Sequence, residues 1–171
     1  ARRYGLKVIE DATESLGSSY TTGAYKNKFT GTIGDFGVFS FNGNKIITTG
    51  SGGMIVTNNE RLAGKARYLT TQAKDDAVRY VHNEVGYNFR LTNLQAALGV
   101  AQPEKLPGFI KTKKRNYFEY WKLLSGLKGI TLLGTPEGTA PTYWVYSALV
   151  DKNDFGTDRE GLMAGLESAG I

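Results

Sequence analysis

Apolar residues fall into short runs in the first third of the chain and into a 3.6-residue period through its middle. Lys7-Val8-Ile9-Glu10-Asp11 is a brief apolar run closed by two acids. That pattern predicts a buried parallel strand whose C-terminal end carries chemistry. Residues 36–41 and 53–57 read as two further strands, rich in Phe, Val and Ile. Asn58-Asn59-Glu60 predicts a turn and N-cap for a helix over residues 60–68. From Thr92, the positions Leu94, Ala97, Leu98 and Ala101 keep helical spacing as far as Pro103. A second helix is predicted over 109–124, with Ile110, Tyr117, Trp121 and Leu124 on one core-facing stripe. Strands over 130–133 and 144–150 and a helix over 158–168, capped by Asp158, complete the pattern. The tail differs in texture from the glycine-rich first half, which predicts a domain boundary near Pro107-Gly108. Both ends read as cut: Gly5 stops a helix at the start, and Gly170 stops another before a strand at the close. The expectation is an internal fragment.

Composition narrows the function classes. With no cysteine, disulfides, thiol catalysis and zinc–thiolate sites are excluded. His82 is the one histidine, so a histidine-rich metal site is not expected. No run approaches the ~18 apolar residues of a membrane helix, and the first residues lack a signal-peptide layout. A soluble, cytoplasmic protein without nucleic-acid or membrane partners is the expectation. The formal charge of +5 comes mainly from residues 105–128, read as a solvated helix face. Glycine is abundant, 22 of 171 residues, and its excess falls between Gly31 and Gly53 around a single lysine.

That lysine, Lys45, lies in Ser40-Phe41-Asn42-Gly43-Asn44-Lys45-Ile46-Ile47-Thr48-Thr49-Gly50-Ser51-Gly52-Gly53. Lysine between apolar runs is either a phosphate-binding cation or an amine made reactive by desolvation. A P-loop needs glycine directly before the lysine and Ser or Thr after it; Asn44 and Ile46 stand there instead. A dinucleotide loop fails too, because the Gly50–Gly53 cluster leads into a strand and not a helix. The remaining option is a Schiff-base lysine. A cofactor aldehyde such as pyridoxal phosphate also needs an acid beside its ring nitrogen, to keep the pyridinium protonated as electron sink. Asp11 suits that role, though a helix N-cap or surface acid fits its spacing equally. Ser40 could supply a hydroxyl to the phosphate.

The ordered motifs Ile9-Glu10-Asp11-Ala12-Thr13-Glu14-Ser15, Gly34-Asp35-Phe36-Gly37-Val38-Phe39-Ser40-Phe41, Lys45 with Thr49-Gly50-Ser51-Gly52-Gly53, and Gly86-Tyr87-Asn88-Phe89-Arg90-Leu91-Thr92-Asn93 resemble the DegT/DnrJ/EryC1/StrS sugar aminotransferases. The wording around Lys45 and Gln72-Ala73-Lys74-Asp75-Asp76 is most similar to the LegC branch. That branch aminates C4 of a UDP-linked 4-keto-6-deoxy-N-acetylhexosamine for bacterial surface glycans or nonulosonic acids.

The resemblance implies a fold-type I, aspartate aminotransferase-like α/β fold, a mostly parallel sheet with helices on both faces. Residues 1–107 would belong to the large cofactor-binding domain. Residues 108–171 would form a connecting helix and the start of a small α+β C-terminal domain. It also implies a homodimer with shared sites and glutamate as amino donor. By the same resemblance Lys45 holds pyridoxal phosphate and shuttles the proton, and Asp11 pairs with the pyridinium nitrogen. Glu14 lies near the ring and its 3′-oxygen, Ser40 binds the phosphate, and Asn88 reaches the phosphate of the neighbouring subunit's cofactor. His82 and Arg90 become weaker candidates for substrate or interface contacts.

Ser51 departs from the glycine usual in this branch, which is tolerable unless the backbone there needs a positive φ. An upstream phosphate loop and a ring-stacking aromatic would precede Ala1, so this stretch alone is expected to be inactive with an exposed sheet edge. A related dehydratase subgroup carries histidine in place of the lysine, and Lys45 argues against that chemistry. A non-catalytic binding or regulatory protein with the same fold is the alternative from another class.

Overall fold

A computed structural model describes residues 1–171, the side chain of Arg2 excepted. Its first half is a three-stranded sheet built from β1 (Ile9–Asp11), β3 (Phe36–Ser40) and β4 (Gly53–Val56). β1 runs parallel to β3, with Ile9 opposite Phe36 and Asp11 opposite Val38. β4 returns antiparallel on the other side of β3, with Gly37 opposite Val56 and Ser40 opposite Gly53. β1 is therefore parallel, as its sequence predicts, but it is not buried. It has a single neighbour, and Ile9 remains 67% exposed on the sheet edge. An edge strand leaves backbone groups and apolar side chains uncovered until something pairs with it.

The crossover from β1 to β3 contains β2 (Ser19–Tyr20) and a short 3-10 turn at Gly23–Tyr25. Its return is pinned by Glu10, whose carboxylate accepts from the backbone N–H of Gly31 (2.8 Å), Ile33 (2.6 Å) and Gly34. Of the two acids ending β1, Glu10 thus braces the backbone of the crossover.

Between β3 and β4 the chain makes the loop that carries Lys45. Its apolar anchors, Phe41 and Ile47, join Ala12 and Phe39 in the core, with Leu16, Val56 and Leu106 packed against them. The tight turn after it places its left-handed conformations on Gly50 and Gly52 (φ +80° and +85°), so Ser51 sits on ordinary backbone. The substitution of glycine at Ser51 is accommodated for that reason.

Helix α1 (Glu60–Thr70) starts where expected: the Asn59 side chain accepts from the backbone N–H of Leu62 at 3.1 Å. Helix α2 (Asn93–Leu124) corrects the expectation of two helices. It runs unbroken for 32 residues through Pro103 and Pro107. Each proline removes one N–H and crowds the preceding turn, at a cost of roughly 3 kcal/mol. Contacts override that propensity, because Leu106 packs on the core and Ile110 lies against Gly17. The expected core stripe holds only in part: Tyr117 is buried and Ile110 and Leu124 are half-buried, but Trp121 is exposed, as are Leu94 and Leu98 earlier in the helix.

A capping box starts α2, with the Thr92 hydroxyl accepting from the Gln95 N–H and the Gln95 side chain accepting from the Thr92 N–H. Thr92→Ala should lower stability by about 1 kcal/mol in thermal denaturation of the protein, with Thr92→Ser restoring most of it. Equal melting of wild type and Thr92→Ala would show that packing alone defines this helix start.

The tail holds β5 (Ile130–Leu132), β6 (Thr139–Ala140), β7 (Ala148–Val150), α3 (Lys152–Phe155) and α4 (Arg159–Ser168). β5 and β7 pair antiparallel, and β6 pairs antiparallel with β2 of the first half. Asp158 caps α4 through the Gly161 N–H at 3.1 Å, as its sequence predicts. The strand expected over 144–150 shrinks to its last three residues. Upstream of them the Trp144 indole N–H and the Tyr146 hydroxyl donate to the carbonyls of Asn44 and Lys113. Side-chain anchoring replaces a ladder there. Among the described residues, no helix is long and apolar enough to cross a membrane.

Candidate active site

The loop that carries Lys45 is held at both ends by hydrogen bonds. The Lys45 N–H donates to the Asn42 carbonyl at 3.0 Å, and Thr49 N–H and Thr48 Oγ1 both donate to the Phe41 carbonyl at 3.0 Å. Gln102 of α2 accepts from the Thr48 N–H at 3.2 Å, tying the loop to the helix. Ile47 and Thr49 are buried on either side. Apolar anchors and hydroxyl bonds thus fix the backbone and leave the Lys45 side chain to point elsewhere.

That side chain is only 13% exposed. Its Nζ lies 3.2 Å from Glu14 Oε1 and 4.3 Å from the centre of the Trp144 ring. Glu14 is 67% exposed, so the pairing is a well-hydrated one on the carboxylate side.

Asp11 ends β1 beside this group. Its Oδ1 accepts from the Thr13 hydroxyl at 2.6 Å and from the Thr13 N–H at 3.2 Å. The Thr13 hydroxyl bond holds the carboxyl below the usual carboxylate range, the Thr13 backbone bond adds to it, and the positive charge of Lys45 adds a smaller amount. A depressed carboxyl stabilises the fold above its unfolded value, and that contribution fades as pH falls through the lower folded value. Replacing Thr13 by valine should move the Asp11 titration upward toward the ordinary range, followed by carboxyl carbon NMR. An unmoved midpoint would show that Thr13 does not set it.

Ser40 closes β3, half-buried, and its Oγ accepts from the Asn42 N–H at 3.3 Å, with no acceptor for its own proton among the described residues. Asp11, Glu14 and Lys45 therefore form one cluster, with Ser40 ending the neighbouring strand on the same loop.

The other three candidates lie on residues 71–92. Asn88 is exposed and bridges to Thr71. His82 donates from Nδ1 to the Gln72 carbonyl at 2.7 Å, a role that suffices to explain its position. Arg90 is exposed beside the cavity between β4 and α1. Among the described residues, no hydrogen bond or ion pair joins these three to Lys45.

The residue that sequence reasoning passed over is Trp144. It follows Lys45 by almost 100 positions and carries no local motif, so nothing in its spacing signals the contact. Trp144 and Glu14 also wall a cavity of about 310 Å³, bounded further by Ser15, Tyr117 and Tyr143. An enclosed amine, an ionised carboxylate, a free hydroxyl and an aromatic wall can together hold and work on a carbonyl compound.

A family model described as the DegT/DnrJ/EryC1/StrS aminotransferase family matches residues 1–171. GDP-perosamine synthase of Caulobacter vibrioides is 39% identical over 172 residues, covering 100% of this chain and 45% of that one. A dTDP-4-dehydro-2,6-dideoxy-D-glucose 3-dehydratase of Saccharopolyspora spinosa is 30% identical over 196 residues, covering 100% and 41%. Among solved structures, DesV of S. venezuelae in complex with a ketimine intermediate superposes with a TM-score of 0.85 at 28% identity, over 100% of this chain and 43% of that one. The chain spans less than half the length of these curated relatives.

Proposed function

The chain belongs to the DegT/DnrJ/EryC1/StrS aminotransferase family, and on that premise we propose that it forms part of an enzyme that uses pyridoxal phosphate to aminate a nucleotide-linked keto sugar. The observation that carries this reading is the Lys45 amine, largely enclosed and held within 3.2 Å of Glu14 beside the ionised Asp11. The donor set suits that cofactor: an amine for its aldehyde, an acid held ionised for its ring nitrogen, and a hydroxyl for its phosphate. The chemistry supplied by the bound cofactor is an electron sink next to the carbon that exchanges its amino group.

Each residue then has a task defined by its own chemistry. Lys45 Nζ accepts and returns the proton at the reacting carbon, because it is the one amine of the cluster. Asp11, its carboxyl held below the usual range by Thr13, would pair with the ring nitrogen and favour its protonated form. Ser40 Oγ donates to phosphate oxygen. Glu14 orients Lys45 Nζ while remaining open to solvent on its other side. Asn88, which has no bond to Lys45 among the described residues, would serve the phosphate of the second subunit's site in a homodimer. Arg90 and His82 stand on the same segment and serve substrate or subunit contacts. Residues 1–107 belong in this reading to the large cofactor-binding domain, and 108–171 lead through α2 into the small one.

The substrate in this reading is a UDP-linked 4-keto-6-deoxy-N-acetylhexosamine, aminated at C4 with glutamate as donor, in the cytoplasm and for a bacterial surface glycan. A GDP-linked 4-keto-6-deoxy sugar is the second reading, favoured by the 39% identity to GDP-perosamine synthase. The dehydration alternative has less support, because it replaces the lysine that this site is built around.

Borohydride reduction of the intact protein with added pyridoxal phosphate tests the reading. The expected product is a cofactor adduct on the peptide that contains Lys45, and an unlabelled Lys45 would overturn it. A panel of nucleotide 4-ketosugars offered to the pyridoxamine form then separates the substrates. Faster conversion by the GDP-linked sugar would displace the UDP assignment.

A further inference from the structure

We propose that Trp144 is a positioning residue for Lys45: its indole cages the amine against Glu14 and thereby sets the direction in which the nitrogen can reach a bound carbonyl. The inference rests on Lys45 being the reacting lysine.

Three observations converge on it. The indole ring lies 4.3 Å from Lys45 Nζ, inside the range of about 6 Å over which an aromatic face attracts a cation. The same indole donates its N–H to the Asn44 carbonyl at 2.7 Å, one residue before Lys45. The ring is therefore fastened to the loop whose side chain it covers, and the two move together. Glu14, which pairs with the amine, is also a wall of the cavity that Trp144 lines. Carboxylate and indole thus both cover Nζ, and the side chain that carries it is only 13% exposed.

The segment that delivers Trp144 is itself fixed. Two residues upstream, Thr142 is buried and its N–H donates to Ser18 Oγ at 3.3 Å. The adjoining β6 pairs with β2 through Ser19 opposite Ala140. Between them and the indole stands Tyr143, with a left-handed backbone at φ +53°. A bulky residue adopts that conformation only when its surroundings over-determine it, and such strain gathers at functional sites. The surroundings here are the Tyr117 ring, 4.2 Å from the Tyr143 ring centre, and Thr135 Oγ1, 2.9 Å from its hydroxyl. The turn at Tyr143 redirects the chain so that the next side chain reaches Lys45. A merely space-filling tryptophan would need neither the twist nor the bond to Asn44.

The test uses the intact protein and begins without cofactor. Acetic anhydride labelling, followed peptide by peptide, reads how enclosed Lys45 is, with Lys111 and Lys114 as exposed references. Trp144→Leu should raise the relative labelling rate of Lys45 about tenfold, the scale of a partly desolvated cation–π contact. Trp144→Phe keeps an aromatic face and should stay within about threefold of wild type. An unchanged rate in a folded Trp144→Leu protein would overturn the cage.

A second measurement does not depend on that variant folding. In a Trp121→Phe background Trp144 is the sole tryptophan, and Lys45→Met should change its emission. Identical emission with lysine or methionine at position 45 would also overturn the proposal. With cofactor and substrate, Trp144→Leu should lower kcat while KM stays near wild type, and Trp144→Phe should recover most of the loss. A rise in KM alone would assign Trp144 to substrate binding and overturn the positioning role. Failure of wild type to form the borohydride adduct at Lys45 would instead overturn the enzyme reading, whatever the labelling rates show.

Discussion

Replacing Lys45 by alanine is expected to slow amino-group transfer by about 10⁴-fold or more in the intact protein. Proton transfer by a positioned side chain contributes up to about 10⁴-fold on its own, and loss of the covalent anchor adds to it. Arginine should not rescue, since it stays protonated and cannot pass a proton back and forth. The fold should tolerate the change. Lys45 forms one ion pair, with a carboxylate that stays well hydrated, and one cation–π contact, and together these carry only a small part of the stability. Single-turnover conversion of keto sugar by the pyridoxamine form is the measurement, with thermal melting as control. Turnover within tenfold of wild type in a well-folded Lys45→Ala protein would remove Lys45 from the chemistry.

The largest expected effect on stability comes from Gly37→Ala. Gly37 is the second residue of β3, opposite Glu10 on one side and Val56 on the other. A Cβ added there would overlap the carbonyl group of Gly31, which is backbone and has no rotamer to change. Gly31 cannot withdraw. Its N–H is held by Glu10, its φ is +78°, and any side chain on it would meet the Phe39 ring at 2.6 Å. The two glycines are thus in backbone contact across the crossover. Forcing them apart should cost about 3 kcal/mol or more, at the top of the range for overpacking a core. Gly108→Ala is the contrasting control: it lies in α2 with open space around it and should stabilise by about 0.5–1 kcal/mol. Equal melting of Gly37→Ala and wild type would show that the crossover is free to move.

Local signals made much of this legible in advance. Asn59 and Asp158 were readable as caps because capping needs only a side-chain acceptor and a nearby N–H. The strands flanking Lys45, and Asp11 at the end of β1, followed from short apolar runs and their punctuation. What misled were features decided by distant contacts. Pro103 and Pro107 are strong local stop signals, yet Leu106 and Ile110 are held by the first half of the chain and carry α2 through them. Leu94 and Leu98 have helical spacing, which identifies the element but not which face is covered. Residues 144–146 have strand-like composition, but their side chains bond to loop and helix carbonyls instead of a neighbouring strand. Glu10 and Asp11 are adjacent acids that periodicity cannot tell apart. Only the three N–H groups converging on Glu10 show which of them braces the crossover.

The bond from Trp144 to Asn44 spans 100 positions, and that from Thr142 to Ser18 spans 124. Synthesis at about 5–20 residues per second puts some 5–20 seconds between making Lys45 and making its aromatic partner. During that interval the nascent chain already has Glu14 and the apolar anchors of the loop, but the amine is open on the tryptophan side. Contacts of such separation also form late in refolding, because their loop closure costs the most entropy. Refolding followed in the Trp121→Phe background should show the Trp144 signal trailing the appearance of secondary structure. The lysine is made early and enclosed late.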